Sequence, residues 1–203
     1  MTEIASEHRV SAWDGGESPY AASSKKLGMW LFLMSDTLTF TAFLIAYSYL
    51  RVANSVDWPR PFGEFSIVMA SVMTFCLLSS SLTMVMAVAA AKRQQIKKTV
   101  IWLLGTIAGG VVFMILHANE WIELIHEGIT PASSLFGASF FTLTGLHMTH
   151  VTGGVIYLAI VAYGFAKGKF EAEDVEVSGL YWHFVDLVWM FIFPMVYLLS
   201  NQL

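Results

Sequence analysis

A chain of 203 residues that is 56% hydrophobic and 13% charged carries about half the charge of a soluble domain. Its net charge of −4, with no basic stripe or interleaved basic and aromatic residues, excludes a nucleic-acid-binding role. The missing charge leaves long stretches without Lys or Arg, as expected of a chain immersed in lipid. One thiol, Cys76, supports neither an internal disulfide nor a cysteine-based metal site and reads as a small buried hydrophobe.

Residues 1–24 are polar and acidic, with Glu3, Glu7, Asp14 and Glu17. They lack the charged, apolar, small-residue order of a cleaved signal peptide, so a tail followed by a retained membrane anchor is expected. A hydrocarbon core of about 30 Å needs about 20 helical residues. Five segments meet that length, near 27–50, 65–91, 99–118, 135–165 and 179–200. Breakers and charges separate them: Asp57 to Pro61, Lys92 to Lys98, Glu127 to Pro131, and Glu171 to Glu176. The expected architecture is all-α, a polytopic bundle of five transmembrane helices over residues 25–203.

Basic residues give the expected direction. Arg9, Lys25 and Lys26 in the tail, Lys92, Arg93, Lys97 and Lys98 in the second loop, and Lys167 and Lys169 in the fourth make nine of the eleven. Only Arg51 and Arg60 belong to the other side. Positive residues stay inside, which predicts a cytoplasmic N-terminal tail and an outer C-terminus. On the same count, Trp30 and Trp182 fall near the inner interface and Trp58 and Trp121 near the outer one, as anchors.

Ionisable groups at bilayer depth cost about 2.5–3.5 kcal/mol each on insertion scales, so each needs a partner or a purpose. The chain has Asp36 in span one, His117 and Glu120 at the end of span three, His147 and His150 in span four, and His183 and Asp186 in span five. The last three sets are spaced i, i+3 and share a helix face. Such faces can build a bundle-core metal site, so an intramembrane His/carboxylate metalloenzyme is one reading. Counting along each span puts Asp36, His183 and Asp186 roughly 6–14 Å from the inner boundary. The same count puts His117, Glu120, His147 and His150 at roughly 22–32 Å, an outer layer separate from the inner one. Neither layer offers a full metal or haem ligand set, which favours interhelical hydrogen bonds, proton handling or lipid contact. A proton-coupled transporter would need paired broken helices, and none is evident. Gly145, Thr149 and Gly153 add a small-residue stripe, with Gly154 following, about 130° around span four from its histidines.

Four stretches carry a resemblance. Phe140-Phe141-Thr142-Leu143-Thr144-Gly145-Leu146-His147-Met148-Thr149-His150-Val151-Thr152-Gly153-Gly154 resembles the fourth-span signature of subunit III of the haem–copper respiratory oxidases. Tyr181-Trp182-His183-Phe184-Val185-Asp186-Leu187-Val188-Trp189 resembles that family's last-helix signature. Gly28-Met29-Trp30-Leu31-Phe32-Leu33-Met34-Ser35-Asp36 and Asn119-Glu120-Trp121 are similar to its first shared helix and its acidic site. Position 36 is usually glutamate in the family and position 148 usually glycine; here they are Asp36 and Met148. The resemblance spans about 25–203 and fits the short five-helix bacterial form, in an inner (cytoplasmic) membrane.

It implies a non-catalytic subunit of a cytochrome c or quinol oxidase. Such a subunit carries no haem or copper; those groups belong to partner subunits. It packs on subunit I within a complex that includes subunit II, and it binds phospholipid in a cleft. In the family it sustains proton uptake by subunit I and protects the complex during turnover. Asp36, Glu120, His147, His150, His183 and Asp186 become its candidate proton- or lipid-linked residues. Accessory proteins of nitric oxide reductases share the fold and are the alternative assignment.

Overall fold

Five helices appear in a computed structural model that describes residues 23–55, 58–59 and 61–199. They are α1 (Ser24–Ala53), α2 (Glu64–Lys92), α3 (Ile96–His126), α4 (Leu135–Ala166) and α5 (Ala172–Phe193), and a π-helical turn at Pro194–Leu198 extends α5. Each of the five, α5 counted with its π turn, is long and apolar enough to cross a membrane. Most of the expected N-terminal tail, with Arg9, lies outside the described residues, as do Asp57 and Arg60 of the first loop.

Local chemistry sets the helix ends. The Ser23 and Ser134 side chains accept hydrogen bonds from the backbone N–H of Lys26 and Gly137 at 3.3 and 3.0 Å, satisfying otherwise orphaned donors. Glu171 and Asp174 form a reciprocal capping box at the start of α5. After α3 and α4 the chain turns through Gly128 and Gly168, whose positive φ values of 85° and 67° suit glycine.

Two helices outrun their expected spans. α3 runs to His126 rather than stopping near 118, because Glu120 is buried inside the bundle and does not mark a membrane boundary. α5 begins at Ala172 rather than near 179, with its acidic first turns tied to basic residues of other helices. Lys25 Nζ lies 2.6 Å from Asp174, while Lys26 and Lys92 each lie 3.2 Å from Glu176. One end of the bundle thus gathers the start of α1, the end of α2 and the start of α5.

Small residues set how closely the helices approach. On α3, Gly105 and Gly109 face Thr83 and Ser80 of α2, and a Cβ on Gly109 would lie 2.7 Å from that of Ser80. This is a Gly-x-x-x-Gly contact, and Thr83 and Thr106 hydroxyls hydrogen-bond across it at 2.8 Å. The expected stripe on α4 is not one contact line, since Thr149 and Gly153 are exposed. Gly154 makes the close approach instead, to Trp182, which lies on its other side against Gly110 of α3. The Trp182 indole donates to Ser80 Oγ of α2 at 3.0 Å. One side chain of α5 therefore touches α2, α3 and α4.

Trp182 is accordingly fully buried and is no interfacial anchor; Trp58 is also buried, edge-on to Tyr47 and Phe136. Both rings fill space between helices, and packing outweighs the interfacial preference of an indole. Trp30 does face outward. α1 is the least enclosed helix. Its buried apolar residues are Leu33, Phe40 and Tyr47, a seven-residue spacing that makes one narrow seam against α4 and α5.

Candidate intramembrane polar site

The seam of α1 holds the first polar cluster. His150 Nε2 lies 2.8 Å from Asp36 Oδ2, across the separation expected between inner and outer layers. The physical reason is helix length. From the observed ends at Ser24 and Ala166, Asp36 and His150 lie roughly 18 and 24 Å along their helices, a gap two side chains close. His150 Nδ1 sits 2.8 Å from the Leu146 carbonyl oxygen, an acceptor, so Nδ1 carries hydrogen. Nε2 then faces the Asp36 carboxyl group across the α1–α4 contact. The approach is off the axis of a good hydrogen bond, since Asp36 Oδ2 has no aligned donor. Phe40 packs edge-on to His150, and Tyr181 donates to the His150 carbonyl at 3.0 Å.

A second cluster lies deeper. Glu120 Oε2 accepts from the Tyr197 hydroxyl at 2.7 Å and lies 3.1 Å from His117 Nδ1, again without hydrogen-bond alignment. Tyr197 reaches Glu120 from the π-helical turn. Pro194 has no N–H to continue the α-helical ladder, and the wider turn re-aims the residues after it. His147 shares Phe113 and Trp189 as ring neighbours with His117. Neither His147 nitrogen has a hydrogen-bond partner, and the ring is fully buried. Its aromatic surroundings suit the neutral ring.

The third cluster joins α2 to α5: Ser81 Oγ lies 2.6 Å from His183 Nδ1. Asp186, one turn along α5, is buried beside the same Ser81, with neither carboxyl oxygen in an aligned hydrogen bond. Asp36, Glu120, His147, His150, His183 and Asp186 thus divide among three places. Among the described residues, no group of three or more His, Cys, Asp or Glu side chains is placed to hold a metal ion.

Sequence reasoning missed the residues that complete these clusters. Ser81 sits in a serine run and Tyr197 three residues after Pro194, with nothing in their spacing to mark them as partners. Replacing Tyr197 with phenylalanine is expected to leave a buried carboxyl oxygen without its donor and destabilise the bundle by about 1–3 kcal/mol. A melting curve of the detergent-solubilised protein reads this, and an unshifted midpoint would contradict the bond.

Comparison with known proteins supplies the remaining constraint. The chain matches the family described as "Cytochrome c oxidase subunit III" over residues 3–201. It is 37% identical to a Bacillus subtilis protein named "Cytochrome c oxidase subunit 3" over 181 residues, covering 87% of each chain. It is 36% identical to "Quinol oxidase subunit 3" of the same organism, covering 86% of each. Against "Cytochrome bo(3) ubiquinol oxidase subunit 3" of Pseudomonas aeruginosa it is 32% identical, over 98% of this chain and 92% of that one. A multi-pass helical bundle with this match along nearly its whole length belongs to the cytochrome c oxidase subunit III family, as subunit III of a cytochrome c or quinol terminal oxidase.

Proposed function

We propose that this chain is a non-catalytic subunit of a proton-pumping haem–copper oxidase in a bacterial cytoplasmic membrane. It packs directly on subunit I beside subunit II, sustains proton uptake and stability during turnover, and binds phospholipid. Haem and copper belong to its partners. Its tail over residues 1–24 lies in the cytoplasm and the C-terminus of the 25–203 bundle outside, which puts the ion pairs of Lys25, Lys26 and Lys92 at the inner surface.

The observation that carries this reading is the Asp36–His150 pair on the α1 seam. It is a close acid–histidine pair held between two helices, on the helix with the most uncovered apolar surface. Leu31, Met34, Leu38, Ile45, Tyr49 and Val52 of α1 are exposed, more than a lone subunit needs to leave uncovered except to lipid or a partner. A groove of about 700 Å³ follows α1 beside Phe191 of α5 and Met195 of the π-helical turn, with room for an acyl chain.

Purification under mild detergent from native membranes tests the assignment. Haem-containing subunits are expected to accompany the chain in fixed ratio, with the absorption spectrum of a haem–copper oxidase. A chain that purifies alone, monodisperse and active would overturn it.

A further inference from the structure

We infer that the π-helical turn after α5 is a conformational latch: Arg51, at the end of α1, holds the turn wide, and in that register alone Tyr197 reaches Glu120.

The turn occupies one hydrogen-bond register and has another close at hand. Leu199 N–H bonds to the Pro194 carbonyl, five residues back. An α-helical continuation would give that carbonyl to Leu198 instead, one residue earlier. An α-helix advances about 100° per residue, so fitting an extra residue into the turn holds the following side chains back by most of that step. Tyr197 lies inside the turn, and its hydroxyl donates to Glu120 Oε2 of α3 at 2.7 Å. Both side chains are buried. In the α register the phenol swings away, and a buried carboxyl group beside His117 loses its one aligned donor among the described residues. Such a group is costly to leave bare.

Two residues keep the wide register. Pro194, first in the turn, has no N–H to bond the Met190 carbonyl, so the α-helical ladder breaks there. Arg51 grips the other end, where its guanidinium donates to the Leu199 carbonyl. Arg51 is itself buried, in the last turn of α1. Among the described residues, no Asp or Glu lies within 4.0 Å of it. A buried guanidinium that meets a backbone carbonyl and no carboxylate is a clamp on that backbone.

The latch joins two distant places. Val52, beside Arg51, and Met195, within the turn, both wall the groove that follows α1. A displacement of α1 at that groove therefore reaches the buried acid of α3 through Arg51, the turn and Tyr197. Arg51 is a positioning residue for Glu120, which it does not touch.

The test uses the intact oxidase with isotope-labelled glutamate and reads Glu120 by infrared spectroscopy, as the carboxyl band that Glu120→Gln abolishes. Tyr197→Phe removes the donor and sets the position of the unlatched band. Arg51→Gln leaves both partners of the bond in place, yet it is expected to move the band to that same position. Added to Tyr197→Phe, it should move the band no further, because the two act through one bond. A wild-type band in Arg51→Gln overturns the latch, as does a further shift in the double variant. Should Arg51→Gln fail to assemble with its partner subunits, Pro194→Ala, which restores the N–H of the α-helical ladder, decides alone. A band at the Tyr197→Phe position then supports the latch, and one at the wild-type position overturns it.

Discussion

Substituting Gly110 with valine is expected to prevent assembly of the bundle. A Cβ at this position would lie 2.5 Å from Trp182 Cη2 and 2.9 Å from Val155 Cγ2, well inside van der Waals contact. Trp182 cannot yield cheaply. It is fully buried, its indole N–H is committed to Ser80, and its Cε3 and Cζ3 atoms meet Gly154. Overpacking of a close-packed interior costs about 1–3 kcal/mol for small additions, and here the clash reaches three helices through one ring. The purified yield of Gly110→Val should collapse, and Gly110→Ala should melt measurably lower than wild type. Gly28→Ala is the control: nothing lies within 4 Å of its added carbon, so its melting point should hold. A Gly110→Val protein as abundant and stable as wild type would mean that Trp182 is not the wedge described.

The second large effect is expected at Asp36, in function rather than in folding. Asp36→Ala removes the carboxyl group that faces His150, on a helix buried along one seam only. Assembly should survive, because Leu33, Phe40 and Tyr47 still hold α1 in place. Proton uptake should slow and the number of turnovers before inactivation should fall several-fold. Asp36→Asn keeps the shape but cannot supply the acid, so it should behave like alanine. Asp36→Glu keeps the acid on a longer side chain and should restore most of the lifetime. Lifetimes equal to wild type in both Asp36→Ala and Asp36→Asn would leave Asp36 with a structural role alone.

The architecture was legible in the sequence because a lipid-spanning helix leaves a coarse and redundant signal. Runs of apolar residues and the loops between them placed five helices. Errors arose where a charged residue had found a partner inside the bundle. Glu120 looked like a span boundary, yet it accepts from Tyr197 and α3 continues past it. The acidic start of α5 looked like loop, yet Asp174 and Glu176 are paired with lysines and extend the helix outward.

The polar clusters were legible as residues and not as partnerships. Spacing shows that His147 and His150 lie toward one face of α4, but not that His150 meets Asp36 while His147 stays among aromatic rings. Depth counted from assumed span ends separated groups that long helices bring together. The same limit applies to the tryptophans. Composition places an indole at an interface, and only the glycines opposite Trp182 reveal that it belongs in the core.

Turnover of the oxidase with and without this chain addresses the central claim most directly, namely that its membrane-buried acids and histidines serve proton supply and packing. The complex depleted of it should still reduce oxygen at first, then lose activity within far fewer turnovers, and regain its lifetime when the chain is added back. Identical decay in the two preparations, or complete loss of electron transfer from the outset, would contradict the account.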